Sequence, residues 1–142
     1  MKWEYGGKGL LFWGPTGRCK TRVLWLLIQK LAVHLGPDSI HVFTGTDFGN
    51  KLARHYKEED AEEWLEQVKG CKLVIFDDLG KLKLTDRAEA ELFDVINHRT
   101  SWHLPIIATT ELDEAGMADR MSYHRGPALI RRLREFCEVI SF

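Results

Sequence analysis

Residues 14–22 read Gly14-Pro15-Thr16-Gly17-Arg18-Cys19-Lys20-Thr21-Arg22. The run has the spacing of a phosphate-binding loop, G-x-x-x-x-G-K-[ST], except that Cys19 stands where the second glycine belongs. Such a loop works because successive backbone N–H groups curl round a phosphate while the following helix presents its positive end. On that pattern Gly14, Pro15, Thr16, Gly17, Arg18 and Cys19 form the cradle. Lys20 would bridge the β- and γ-phosphates of ATP, and the Thr21 hydroxyl would bind Mg²⁺.

The flanks make the loop credible. Gly9–Trp13 is a short apolar run, predicting a buried strand, and Lys20–Leu35 lacks glycine and proline until Gly36-Pro37 stops it, predicting a helix. Val23, Leu24, Leu26, Leu27, Ile28 and Leu31 nearly encircle that helix, as expected of one packed against a sheet. Further along, 40–44, 72–76, 105–109 and 139–142 read as strands, while 48–56, 61–68, 85–102 and 126–136 read as helices, with Thr85 capping the third of these. Strands alternating with helices predict one three-layer α/β domain over residues 1–142 with a mostly parallel sheet.

Leu73-Val74-Ile75-Phe76-Asp77-Asp78 buries a strand and then delivers two carboxylates at its C-terminal end, where α/β proteins bind ligands. Asp77 is placed to hold the Mg²⁺ shell and Asp78 to orient an attacking water as a base. An acidic pair at a strand end says little alone; one strand after a phosphate loop it says much.

Composition excludes several classes. The chain has 142 residues, 44% hydrophobic and 29% charged, ordinary for a globular protein. The longest apolar run, Val23–Ile28, is far too short to cross a bilayer, and Met1-Lys2 leads into no signal-peptide core, so a cytoplasmic protein without membrane attachment is expected. The 3 cysteines and 6 histidines show no metal-binding spacing, and the cysteines are expected as reduced thiols. Net charge is −1, with an acidic middle around Glu58–Glu66 and arginines crowding 120–134, which leaves DNA binding open rather than demanded. Trp3, Trp13, Trp25, Trp64 and Trp102 do not line up on one element and read as core or edge packing, with Trp3 and Tyr5 able to flank an adenine.

Phe76-Asp77-Asp78-Leu79-Gly80, followed by Lys81–Thr85, Glu89–Phe93, Asn97-His98-Arg99 and Pro105–Thr110, resembles the DnaC/IstB-like branch of the AAA+ P-loop NTPases, which includes helicase loaders and transposition ATPases. The resemblance runs from about Gly9 to Phe142. It implies a five-stranded parallel sheet in the order 5-1-4-3-2, and a homo-oligomer with nucleotide at the edges of neighbouring subunits. It also implies a protein client of the helicase or transposase type. It further implies that Thr110 takes the polar sensor position facing the γ-phosphate, although Glu111 follows it where the family often has asparagine. Arg132 best matches the family's arginine finger, acting in a neighbour's site. No N-terminal client-gripping region precedes the first strand and no helical lid follows the last, so an ATPase core that turns over slowly by itself is expected.

Cys19 leaves the function divided. A side chain at the last loop position intrudes on the phosphate or strains the backbone, at a cost of about 1–3 kcal/mol, or roughly ten- to a hundredfold in affinity. The chain can then be a weak-binding ATPase, or a nucleotide-binding switch or pseudo-ATPase without turnover. A P-loop small-molecule kinase and a non-catalytic partner-binding module are the other readings.

Overall fold

The computed structural model describes residues 8–15, 17, 19–44, 46–81, 84–122 and 124–142. In chain order the elements are β1 (Gly9–Trp13), α1 (Lys20–Leu35), β2 (Ile40–Phe43), α2 (Asp47–Lys57), α3 (Ala61–Gly70), β3 (Leu73–Phe76), α4 (Asp86–Ser101), β4 (Ile106–Thr110), α5 (Glu114–Arg120), α6 (Arg125–Phe136) and β5 (Cys137–Ser141). The strands form one sheet in the order β2-β3-β4-β1-β5, with every neighbouring pair parallel. This is the order that the family resemblance implies.

Register explains why the sheet builds a site. Phe43 lies beside Phe76, Phe76 beside Ala108, and Trp13 beside Thr110. The C-terminal ends of β1, β3 and β4 therefore finish near one edge, and the loops that follow them meet there.

Alternation along β3 sends Val74 and Phe76 to one face and Leu73 and Ile75 to the other, and all four are buried. A strand covered on both sides has to be apolar throughout, which accounts for the unbroken Leu-Val-Ile-Phe run. The first face is covered by α2 to α6, with Phe48, Trp64, Leu92, Ile96 and Leu129 in its core. On the second face lies α1, contributing Leu24, Ile28 and Leu31.

The expectation for α1 needs correction. Only the stripe Leu24, Ile28 and Leu31, with Lys20, is buried, whereas Trp25, Leu26 and Val33 are 44%, 55% and 82% exposed. A single helix laid on a sheet turns one side to it, and no described residue covers the other. Trp102 is likewise exposed, so among the described tryptophans Trp64 belongs to the core, Trp13 is half-buried, and Trp25 and Trp102 lie on the surface.

Helix α5 was not legible in the sequence. It is a seven-residue segment whose one fully buried anchor is Met117, interrupted by Gly116 and started by Asp113, whose carboxylate accepts a hydrogen bond from Gly116 N at 2.8 Å. Thr85 caps α4 as expected, its hydroxyl accepting from Ala88 N at 3.2 Å.

The far edge of the sheet is fastened by Arg99. Its guanidinium is fully buried and donates to the carbonyls of Val68 (3.2 Å), Lys69 (3.1 Å), Cys71 (2.7 Å) and Pro105 (2.7 Å). Helix α3 ends with carbonyls that no later turn can satisfy, and one arginine of α4 supplies the donors. All three cysteines are free thiols: Cys19 is exposed, Cys71 half-buried and Cys137 buried, with burial pushing the Cys137 thiol up to about 12.

Candidate nucleotide site

The loop leaving β1 is held against the sheet at its first residue. Gly14 N donates to Thr110 O at 3.3 Å, and a β-carbon at Gly14 would sit 2.7 Å from Phe142 O, so only glycine fits there. Gly17 lies in the left-handed region at φ 83°, where a side chain is disfavoured. Thr16 and Arg18, expected in the cradle, and Trp3 and Tyr5, expected near the adenine, lie outside the described residues.

Cys19 is the helix N-cap, with φ 61° and ψ 20°. A left-handed backbone is what a glycine would adopt freely and an L-residue adopts at a cost of about 1–2 kcal/mol. That strain is already present in the empty loop, so relieving it in Cys19→Gly is expected to raise stability by about 1–2 kcal/mol. Cys19 also lines the cavity, and removing its side chain from the cradle is expected to tighten nucleotide binding by up to roughly tenfold, about 1.4 kcal/mol. Titration with a fluorescent ATP analogue checks this, and unchanged or weaker binding would count against obstruction by Cys19.

Lys20 opens α1 and is buried, its Nζ donating to the carbonyls of Gly14 and Pro15 at 2.7 Å each. One residue on, the Thr21 hydroxyl donates to Asp77 Oδ1 at 3.2 Å across 56 positions of sequence. Two loops distant along the chain thus meet at one rim of the sheet. Asp77 is itself buried and also accepts from the Thr109 hydroxyl at 2.6 Å.

That hydroxyl has a second task. Thr109 Oγ1 accepts from Asp78 N at 2.8 Å, while Leu79 N donates to Thr109 O at 2.8 Å. The bonds hold the turn after β3, in which Asp78 has φ 57° and Gly80 φ 86°. Asp78 turns its carboxylate outward, 3.7 Å from Lys81 Nζ. A cavity of about 450 Å³ opens between these loops, and Lys20, Thr21, Cys19 and Asp78 line it.

Not every expected residue comes to this cavity. The Thr110 side chain is buried beside it, its hydroxyl donating to Leu79 O at 2.9 Å and accepting from Leu112 N at 3.1 Å. Glu111 lines the cavity instead. Arg132 lies half-buried on α6, 3.4 Å from the Thr100 hydroxyl at the far end of α4, and does not line this cavity. Arg134 is spread over the Trp13 ring at 5.6 Å.

Two residues escaped sequence reasoning. Thr109 is one position from the threonine singled out, and the signal that separates the two is strand register: Thr109 pairs with Phe12 and Thr110 with Trp13. Arg120, at the end of α5, lines the cavity with Lys81. No motif marks it, because α5 itself was not legible.

Among described residues no helix is long and apolar enough to cross a membrane. Known proteins share the fold. The helicase loader DnaC superposes with a TM-score of 0.78 at 23% identity, covering 98% of this chain and 80% of that one. AMPPCP-bound DnaA from Aquifex aeolicus gives 0.78 at 20% identity, covering 96% of this chain and 41% of that one. A protein of insertion sequence IS5376 from Geobacillus stearothermophilus is 32% identical over 109 residues, which is 72% of this chain and 40% of that protein. The chain spans between 23% and 40% of the length of the curated relatives it matches. The model of the family described as IstB-like ATP binding protein matches residues 2–141. A parallel P-loop fold in AAA+ strand order, the loop-to-carboxylate contact and that match lead to one conclusion: the chain belongs to the IstB-like ATP binding protein family.

Proposed function

We propose that this chain binds Mg·ATP at the rim described above, hydrolyses it, and couples the cycle to loading or remodelling a protein partner on DNA. The observation that carries the reading is the 3.2 Å contact between Thr21 and Asp77. A hydroxyl and a carboxylate are hard oxygen donors, the ligand type Mg²⁺ prefers. Thr21 and Asp77 would hold the ion, which when bound neutralises charge on the phosphates.

The chain's own residues do the rest. Lys20 transfers its hydrogen bonds from loop carbonyls to phosphate oxygens, and the N–H groups of the loop hold the phosphates in place. Asp78, which lines the cavity, orients the attacking water and accepts its proton. Arg132 does not line its own subunit's cavity and acts in trans, in a neighbouring copy. DNA-linked partners are supported by family membership and by the fold shared with DnaC and DnaA.

One observation favours a second reading, a nucleotide-controlled switch without turnover: Cys19 lines the cavity at the position where the loop motif has glycine. Phosphate release measured against protein concentration separates the two. Activity is expected to require Mg²⁺, to rise more than linearly with concentration, and to vanish in both Lys20→Ala and Arg132→Ala. Binding without phosphate release would select the switch. Linear activity that survives Arg132→Ala would remove the shared site.

A further inference from the structure

We infer that Arg120 reads the terminal phosphate from within the same subunit and so sets the preference for nucleoside triphosphate over diphosphate. The inference rests on the nucleotide reading of the cavity above.

The threonines ending β4 cannot supply that contact, because both hydroxyls are buried and committed. Thr109 serves Asp77 and Asp78 N, and Thr110 serves Leu79 and Leu112. The cavity wall also carries negative charge from Asp78 and Glu111, which a triphosphate would meet at its most charged end. Besides Lys20, two further cations among the described residues line the cavity, Lys81 and Arg120. The Lys81 amine sits 3.7 Å from the Asp78 carboxylate.

Arg120 differs from the other arginines near this end of the chain. Arg125 is paired with Asp86, Arg131 faces Glu114, and Arg134 covers Trp13. Among described residues the Arg120 guanidinium makes a single 3.3 Å hydrogen bond, to Lys81 O. A guanidinium has five N–H donors in a planar fork suited to phosphate, and Arg120 is exposed, so most of that capacity is open to a ligand. Arg120 shares its wall with Asp78, the group placed to orient water beyond the terminal phosphate.

Its support is firm. Helix α5 is anchored by fully buried Met117, and it lies so close to α6 that a β-carbon on Gly126 would sit 2.5 Å from Met117 O. A contact made by Arg120 is therefore made by a docked element rather than by a loose loop.

The test compares two nucleotides on the full chain. The Mg²⁺ complexes of AMPPCP and of ADP are titrated against the parent, Arg120→Ala, Arg120→Lys and Lys20→Ala, with melting curves without nucleotide to confirm folding. Arg120→Ala is expected to weaken AMPPCP about ten- to a hundredfold, the worth of charge-assisted hydrogen bonds, and ADP by less than about twofold. Arg120→Lys recovers part of the loss, and Lys20→Ala loses both nucleotides. If Arg120→Ala does not fold, Arg120→Gln carries the same comparison. An unchanged ratio of the two affinities, or equal loss of both, overturns the role of Arg120 and leaves the site standing. A parent chain that binds neither nucleotide overturns the site and this inference with it.

Discussion

Replacing Arg99 by methionine is expected to lower the unfolding free energy by about 3–5 kcal/mol, because several buried carbonyls lose their donor at about 1–3 kcal/mol each. The carbonyls of Cys71 and Pro105 lie 2.7 Å from the guanidinium nitrogens, and those of Val68 and Lys69 lie at 3.2 and 3.1 Å. Methionine fills much of the volume but offers no N–H group, so the end of α3 and the start of β4 lose a shared donor, and the contacts to Val68 and Pro105 are buried. Arg99→Lys should lose less, since an ammonium keeps three donors, though not in a plane. Urea unfolding followed by tryptophan fluorescence measures both. A loss below about 1 kcal/mol for methionine, the worth of a single ordinary hydrogen bond, would mean that the cluster does not fasten the fold. Folded Arg99→Met should bind nucleotide normally, since its contacts lie at the edge of the sheet away from the cavity.

The second large effect falls on binding. Lys20→Ala is expected to reduce affinity for Mg·ATP on the order of a hundredfold or more, because charged hydrogen bonds of about 1.5–3 kcal/mol each are lost to two phosphates. The Lys20 amine is buried beside the loop and held by two carbonyls at 2.7 Å, so its position is fixed to within a bond length of the cradle. Without nucleotide the variant should still fold, because water can replace the amine at exposed Pro15, although the buried Gly14 carbonyl loses its donor at about 1–3 kcal/mol. Calorimetric titration gives the affinity directly. Retained binding would mean that phosphates do not sit where the loop motif puts them.

Much of this was legible because the signals were periodic. Leu73–Phe76 had to be a strand covered on both faces, and the glycine turn before Lys20 had to join a strand to a helix. The rim contact between Thr21 and Asp77 followed from motif and fold order together. What the sequence hid depended on register or on short elements. Thr109 and Thr110 look alike in a row of letters, yet a one-residue step decides which hydroxyl holds Asp77 and which holds the Leu79 turn. Arg120 rides on a helix too short to show a period. Arg99 reads as a polar helix residue, and nothing before the tertiary fold says that four carbonyls converge on it. For α1 the apolar run was read as burial all round, although only the sheet-facing stripe is covered.

Strand order also bears on how the chain assembles during synthesis. Leu10 pairs with Ile107 on one side and Glu138 on the other, so β1 emerges from the ribosome long before either partner. Closing such long loops is slow, and an apolar segment such as Gly-Leu-Leu-Phe-Trp waiting unpaired invites association with other nascent chains. The phosphate loop hangs from that same strand and leans on Phe142 through Gly14. A nascent chain stalled before β4 and β5 would carry the complete loop motif with no sheet to mount it on.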